Sequence, residues 1–205
     1  MKITEKDVKN AEEFAASVLN GDCSGHDLEH IKRVMSCARL IIKSDNITDI
    51  DENLTLLCYA LHDVDDHKFK CEGEDEYANL KKFCVVFGYA DDVFNAAKNI
   101  IDKISFTDNP TFDASLSIEA KVAQDADRLD ALGAVGIARA FAYGGSRGRG
   151  FYGENSTVSH FYDKLFKLPE LMNTKAGRAI ADERVKYMRE FIDRLNAEAL
   201  FDKKS

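Results

Sequence analysis

The chain has 205 residues, 45 % of them hydrophobic, which is enough for one domain with its own core and no disulfide staples. Its formal net charge of -8 argues against a general nucleic-acid binder, whose affinity comes from neutralising phosphates with cations. No apolar run approaches the roughly 20 residues of a membrane span.

The five cysteines, Cys23, Cys37, Cys58, Cys71 and Cys84, form no C-x-x-C and are odd in number. They read as buried, reduced thiols of a cytoplasmic protein. The start, Met1-Lys2-Ile3-Thr4-Glu5-Lys6, lacks the apolar stretch of a signal peptide.

The only prolines are Pro110 and Pro169, and helical periodicity dominates the chain before the first of them. Thr4 and Asp7 mark the start of a first helix that Gly21 ends. A second helix is predicted from about Asp27 to Lys43, with Ile31, Val34, Met35, Ala38, Ile41 and Ile42 on one face. A third is predicted from about Asp51 to His62, with Leu54, Leu57, Cys58 and Leu61 inward. Further helices fit Glu74 to Phe87 and Asp91 to Ile104. Val85-Val86-Phe87 is the best β-like run, but it continues a helical pattern. Ser117 to Tyr143 reads as helix with a bend at Gly133 or Gly136, and Thr174 to Lys203 as the last helix. Thr107 to Ser115 reads as a loop, as does the glycine-rich run Tyr143 to Gly150, because glycine weakens a helix by about 1 kcal/mol relative to alanine.

Metal-capable side chains recur at the edges of these apolar helices. His30 adjoins Ile31 on the second helix. His62 continues the Leu54, Cys58 face of the third, and Asp63 follows at once. Asp127 lies among Ala126 and Leu129 in the run Gln124-Asp125-Ala126-Asp127-Arg128-Leu129-Asp130. Taken singly, each has an ordinary explanation as a core or surface residue. Together, two imidazoles and two carboxylates suit one divalent cation with open coordination positions. That chemistry points to metal-assisted hydrolysis.

The segments His30-Ile31-Lys32-Arg33-Val34, Leu61-His62-Asp63 and Asp125 to Gly133 resemble the signature of the HD-domain superfamily of metal-dependent phosphohydrolases. The resemblance implies an all-α HD-domain helical bundle with a C-terminal helical extension. It implies one domain over 1–205, with a core at about 20–140 and a glycine-rich loop and C-terminal helices at 141–205. It assigns the metal ligands to His30, His62, Asp63 and Asp127. Phe141-Ala142-Tyr143-Gly144-Gly145 and His160 to Leu165 resemble a small, single-domain bacterial subfamily, some of whose members cleave nucleoside triphosphates to monophosphate and pyrophosphate. The single His67 between Asp63 and Asp127 departs from two-metal members and favours one metal ion. Mn2+ is the first choice, with Fe2+, Co2+, Ni2+, Zn2+ and Mg2+ admitted by the same ligands. No Gly-Tyr-Pro follows His62-Asp63, which disfavours the cyclic dinucleotide phosphodiesterases.

Asp66 matches an acidic position of some members, where a carboxylate takes a proton from water. Its bland reading is a solvated helix end. His26 and Asp27 are candidates to orient a ligand from behind, or else form an ordinary helix start. Arg128, Lys103, Arg139, Arg147, Arg149 and Lys164 are candidates to bind phosphate, and each is also an ordinary surface cation. The glycine-rich run reads as a lid over polyphosphate in preference to an RNA-binding Arg-Gly tract. The expected partner is a small phosphorylated substrate, not nucleic acid or membrane, bound by a monomer or homodimer. Two alternatives stand beside the pyrophosphohydrolase reading: a 5'-nucleotidase-type phosphomonoesterase and a non-catalytic metal- or nucleotide-binding HD protein.

Overall fold

Thr4 opens the first helix, α1 (Glu5–Val18), through a capping box in which its amide and hydroxyl both donate to the Asp7 carboxylate, at 2.8 and 2.6 Å. The computed structural model describes residues 2–19, 28–66, 75–104 and 111–199, and among these it is all-α, with nine α-helices and no strand.

α2 (Leu28–Ser44) buries His30, Ile31, Val34, Met35, Ala38 and Ile41 along one stripe. α3 (Glu52–Leu61) is capped by Asp51, which accepts from the Leu54 amide at 3.0 Å. Every residue from Thr55 to Leu61 is buried, the mark of a helix enclosed by others. It packs against α1, α2, α5 (Asp91–Ile101) and α6 (Ile118–Asp130). The Tyr59 hydroxyl donates to the Val122 carbonyl at 3.0 Å, tying α3 to α6.

α4 (Ala78–Phe87) starts later than its periodicity suggests. Asp65 accepts from the Asn79 and Leu80 amides at 2.8 and 2.9 Å, so a carboxylate from a preceding turn caps α4. α5 likewise stops at Ile101, and single tight turns carry the chain on to Ile104.

The long helical stretch expected over Ser117 to Tyr143 divides at Gly133, whose φ of 74° suits glycine. α7 (Gly133–Ser146) runs through Gly136 without a break, and it also runs through Gly144 and Gly145. The expected loop therefore begins only after Ser146. Packing accounts for the glycine: a Cβ on Gly144 would stand 2.2 Å from Thr157 Oγ1 of α8 (Thr157–Asp163). Close approach of the two helices outweighs the low helix propensity.

Short and interrupted by Pro169, α8 and the 3-10 helix Leu165–Leu171 show no helical periodicity in the sequence. α9 (Lys175–Glu198) packs on α7, α6, α2 and the 3-10 helix. Its start is held by Asp125, which is 0 % exposed and accepts from the Asn173 amide, the Thr174 amide and the Thr174 hydroxyl. Cys37, Cys58 and Cys84 are buried free thiols, and Cys23 and Cys71 lie outside the described residues. No described helix is long and apolar enough to cross a membrane.

Candidate metal centre

α2, α3 and α6 bring together side chains that lie far apart in the sequence. His30 Nε2 stands 3.4 Å from His62 Nε2, 3.7 Å from Asp63 Oδ2 and 3.6 Å from Asp127 Oδ1. His62 Nε2 stands 3.1 Å from Asp63 Oδ2 and 3.9 Å from Asp127 Oδ1. The ligand atoms of His30, His62 and Asp127 all lie within 4.8 Å of one another. α3 ends at Leu61 with His62 as its cap, which frees His62 and Asp63 to turn toward α2 and α6.

The outer nitrogen of each imidazole is already engaged. His30 Nδ1 donates to Asp130 Oδ2 at 2.8 Å, and His62 Nδ1 donates to the Tyr59 carbonyl at 2.7 Å. Both acceptors lack a hydrogen to give, so each Nδ1 carries one and each Nε2 turns a lone pair inward. Two lone pairs and two carboxylates converging on one point call for a positive charge there. Burial alone would lower the His62 pKa, but Asp63, Asp127 and the Tyr59 carbonyl raise it to about 9. A proton is thus attracted to the place a cation would take. The donor set, its spacing and its fixed tautomers fit a divalent ion.

Asp130 links this centre to two arginines. It accepts from Arg33 Nε at 2.7 Å and from Arg33 Nη2 at 3.2 Å, and also from Arg139 Nη1. Burial would raise its pKa. Bonds from His30 and Arg33, with the charge of Arg139, overcome that and hold the carboxyl well below the usual carboxylate range. Asp130 lies within the sequence motif, and its role follows only from these contacts. The signal was its spacing, three residues after Asp127 on one helix face, as Arg33 is three after His30.

The expected phosphate-binding cations are distributed unevenly. Lys164 is half-buried within electrostatic reach of Asp127, Arg128 and Arg139; burial lowers its pKa, against the pull of Asp127. Arg139 sits on Asp130 at the same side. Arg128 is 1 % exposed and donates to the Leu171 carbonyl, so it braces the 3-10 helix from the interior. Lys103 is exposed, on the side of Asp113, and its carbonyl accepts from Gln124. Arg147 and Arg149 are exposed, each 5.5 Å from the Tyr143 ring. Asp66 is half-buried at the end of two tight turns after α3, its amide donating to the Asp63 carbonyl at 3.1 Å. His26 and Asp27 lie outside the described residues.

Fold and site define an all-helical protein whose central helices gather a His, His-Asp, Asp set suited to one divalent cation. The model of the HD domain family matches residues 27–132. The chain is 37 % identical to YpgQ of Bacillus subtilis over 195 residues, covering 93 % of this chain and 94 % of YpgQ. The crystal structure of Bacillus subtilis YpgQ in complex with ADP aligns with a TM-score of 0.76 at 35 % identity, over 94 % of this chain and 95 % of that one. A Bacillus thuringiensis structure described as an HD-superfamily hydrolase aligns at a TM-score of 0.72 and 35 % identity, over 95 % and 97 % of the two chains. A Lactobacillus plantarum structure aligns at 0.81 and 36 % identity, over 96 % and 98 %. The chain belongs to the HD-domain family.

Proposed function

We propose that the protein is a metal-dependent phosphohydrolase that cleaves nucleoside triphosphates to nucleoside monophosphate and pyrophosphate. The observation that carries this reading is the convergence of His30 and His62 Nε2 with Asp63 and Asp127, 3.1 to 3.9 Å apart, beside Lys164 and Arg139. The ADP bound to YpgQ supports a nucleotide as substrate. Held by His30, His62, Asp63 and Asp127, a divalent ion, Mn2+ first, would supply Lewis acidity to a phosphoryl oxygen and acidify water.

The chain's own residues divide the remaining work. Asp130 and the Tyr59 carbonyl keep both imidazoles in the tautomer that presents Nε2. Lys164 and Arg139 stabilise negative charge as it builds on the phosphoryl oxygens. Asp66 accepts the proton of the attacking water. The water oxygen bonds to the α-phosphorus, the bond to the β-bridging oxygen breaks, and its electron pair leaves with pyrophosphate.

Incubation with Mn2+ and mixed nucleoside triphosphates, followed by anion-exchange separation, tests this. Monophosphate and pyrophosphate in equal amounts are expected. Inorganic phosphate from a nucleoside monophosphate would assign a 5'-nucleotidase-type reaction instead. Unchanged nucleotide, with every candidate metal, would leave a binding protein.

A further inference from the structure

The Asp130 carboxylate carries one negative charge and faces two guanidiniums. Arg33 meets it edge-on, with Nε donating to Oδ1 at 2.7 Å and Nη2 to Oδ2 at 3.2 Å. Arg139 Nη1 donates to the same Oδ2 and stands 3.4 Å from His30 Nδ1. His30 Nδ1 donates to that oxygen as well, at 2.8 Å. Two cations that share one oxygen atom are close neighbours and repel each other. The pair flanks the ring whose Nε2 belongs to the metal centre, 3.6 Å from Asp127 Oδ1.

Three helices fix this arrangement. His30 and Arg33 are three apart on α2 and share a face, Asp130 ends α6, and Arg139 comes from the middle of α7. The acid is inside and the cations are outside. The Asp130 side chain is 3 % exposed, that of Arg33 34 % and that of Arg139 27 %. Solvent beside the metal centre therefore meets guanidinium rather than carboxylate. Arg33 uses the Nε and Nη2 edge of its planar fork on Asp130, and Nη1 lies on the other edge.

The charges of the site favour an anion beside this pair. A divalent ion among His30, His62, Asp63 and Asp127 would be balanced by the two ligand carboxylates, because both imidazoles are neutral. Arg33, Arg139 and Asp130 together keep one positive charge. Negative charge that builds on a phosphoryl group is stabilised by cations already held in place.

We propose that Arg33 is a substrate-binding residue which, with Arg139, forms a two-guanidinium clamp for the non-bridging oxygens of a polyphosphate. Asp130 braces both arms from behind. This rests on the phosphohydrolase reading. One edge of the Arg33 fork holds Asp130 while the other donates to a phosphate oxygen, a division that the compact ammonium of lysine does not reproduce.

Isothermal titration of pyrophosphate into protein saturated with Mn2+ reads the clamp without turnover. Arg33→Gln removes the charge and keeps an amide that can donate to a carboxylate. It should weaken pyrophosphate binding about tenfold with Mn2+ stoichiometry unchanged, the scale of one hydrogen bond to a charged group. Arg33→Lys keeps the charge and loses the fork, so a loss of about threefold is expected. It also decides the matter if Arg33→Gln fails to fold. Wild-type pyrophosphate affinity in either folded variant, or no binding by wild type, would overturn the clamp. So would a weakened affinity for Mn2+ with pyrophosphate binding unchanged at saturating metal, which would leave Arg33 a brace for Asp130 only. Failure to hydrolyse any nucleotide would sink the phosphohydrolase reading alone, because the titration would still decide the clamp.

Discussion

Asp130 accepts a hydrogen bond from His30 Nδ1 at 2.8 Å, across 100 residues of chain. The same carboxylate is gripped by Arg33 and Arg139. One buried acid therefore sets the tautomer of a proposed ligand and places a cation at the edge of the site. Asp130→Asn should lower metal affinity about 10- to 100-fold, the usual cost of losing such a partner behind a ligand. Metal titration followed by elemental analysis measures it. Wild-type affinity in a folded variant would remove Asp130 from the site's design.

His62→Ala combined with Asp63→Ala should abolish stoichiometric metal binding. The fold should persist, because α2, α3 and α6 bury their own apolar faces. Elemental analysis beside far-UV circular dichroism checks both halves. Unchanged metal content in the folded double variant would refute the ligand assignment.

Asp66→Asn keeps the side-chain shape and removes the proton acceptor. The turnover number should fall roughly 10²-fold or more, with metal content retained. Near-wild-type turnover would make Asp66 a polar turn residue, as Asp65 is a cap for α4.

Arg147→Ala with Arg149→Ala should reduce the use of a nucleoside triphosphate more than that of p-nitrophenyl phosphate. The larger substrate has more oxygens for distant guanidiniums to grip. Steady-state kinetics on the two substrates gives the ratio. An equal loss on both would place these arginines at the reacting phosphoryl group or in the fold. Loss of RNA binding alone would revive the Arg-Gly reading of the run.

Asp125→Ala should destabilise the protein by about 3 kcal/mol, because buried donors of Asn173 and Thr174 lose their acceptor. Gly177→Ala should act at the same spot, since its Cβ would lie 2.6 Å from Asp125 Oδ2. Thermal melts check both, and an unchanged Tm in either would contradict the role given to this junction.

Helix existence and the proposed ligands were legible in the sequence for one shared reason. The repeat of Ile31, Val34, Met35, Ala38 and Ile41 is local information, and so is the position of His30 beside it. The order His30, His62-Asp63, Asp127 carried the family resemblance that the fold and the relatives bear out. Tertiary structure decided what depends on partners distant in the chain. Gly144 and Gly145 read as loop residues, yet both lie inside α7, and at Gly144 α8 packs too closely for any side chain. Arg128 reads as a surface cation, yet lies in the interior, where the Leu171 carbonyl accepts from it. Asp130, Arg33 and Arg139 belong to α6, α2 and α7, and no pattern along one segment announces that they meet. Periodicity reports which face of a helix is apolar; it cannot say which polar groups on other helices will stand opposite that face once the helices pack.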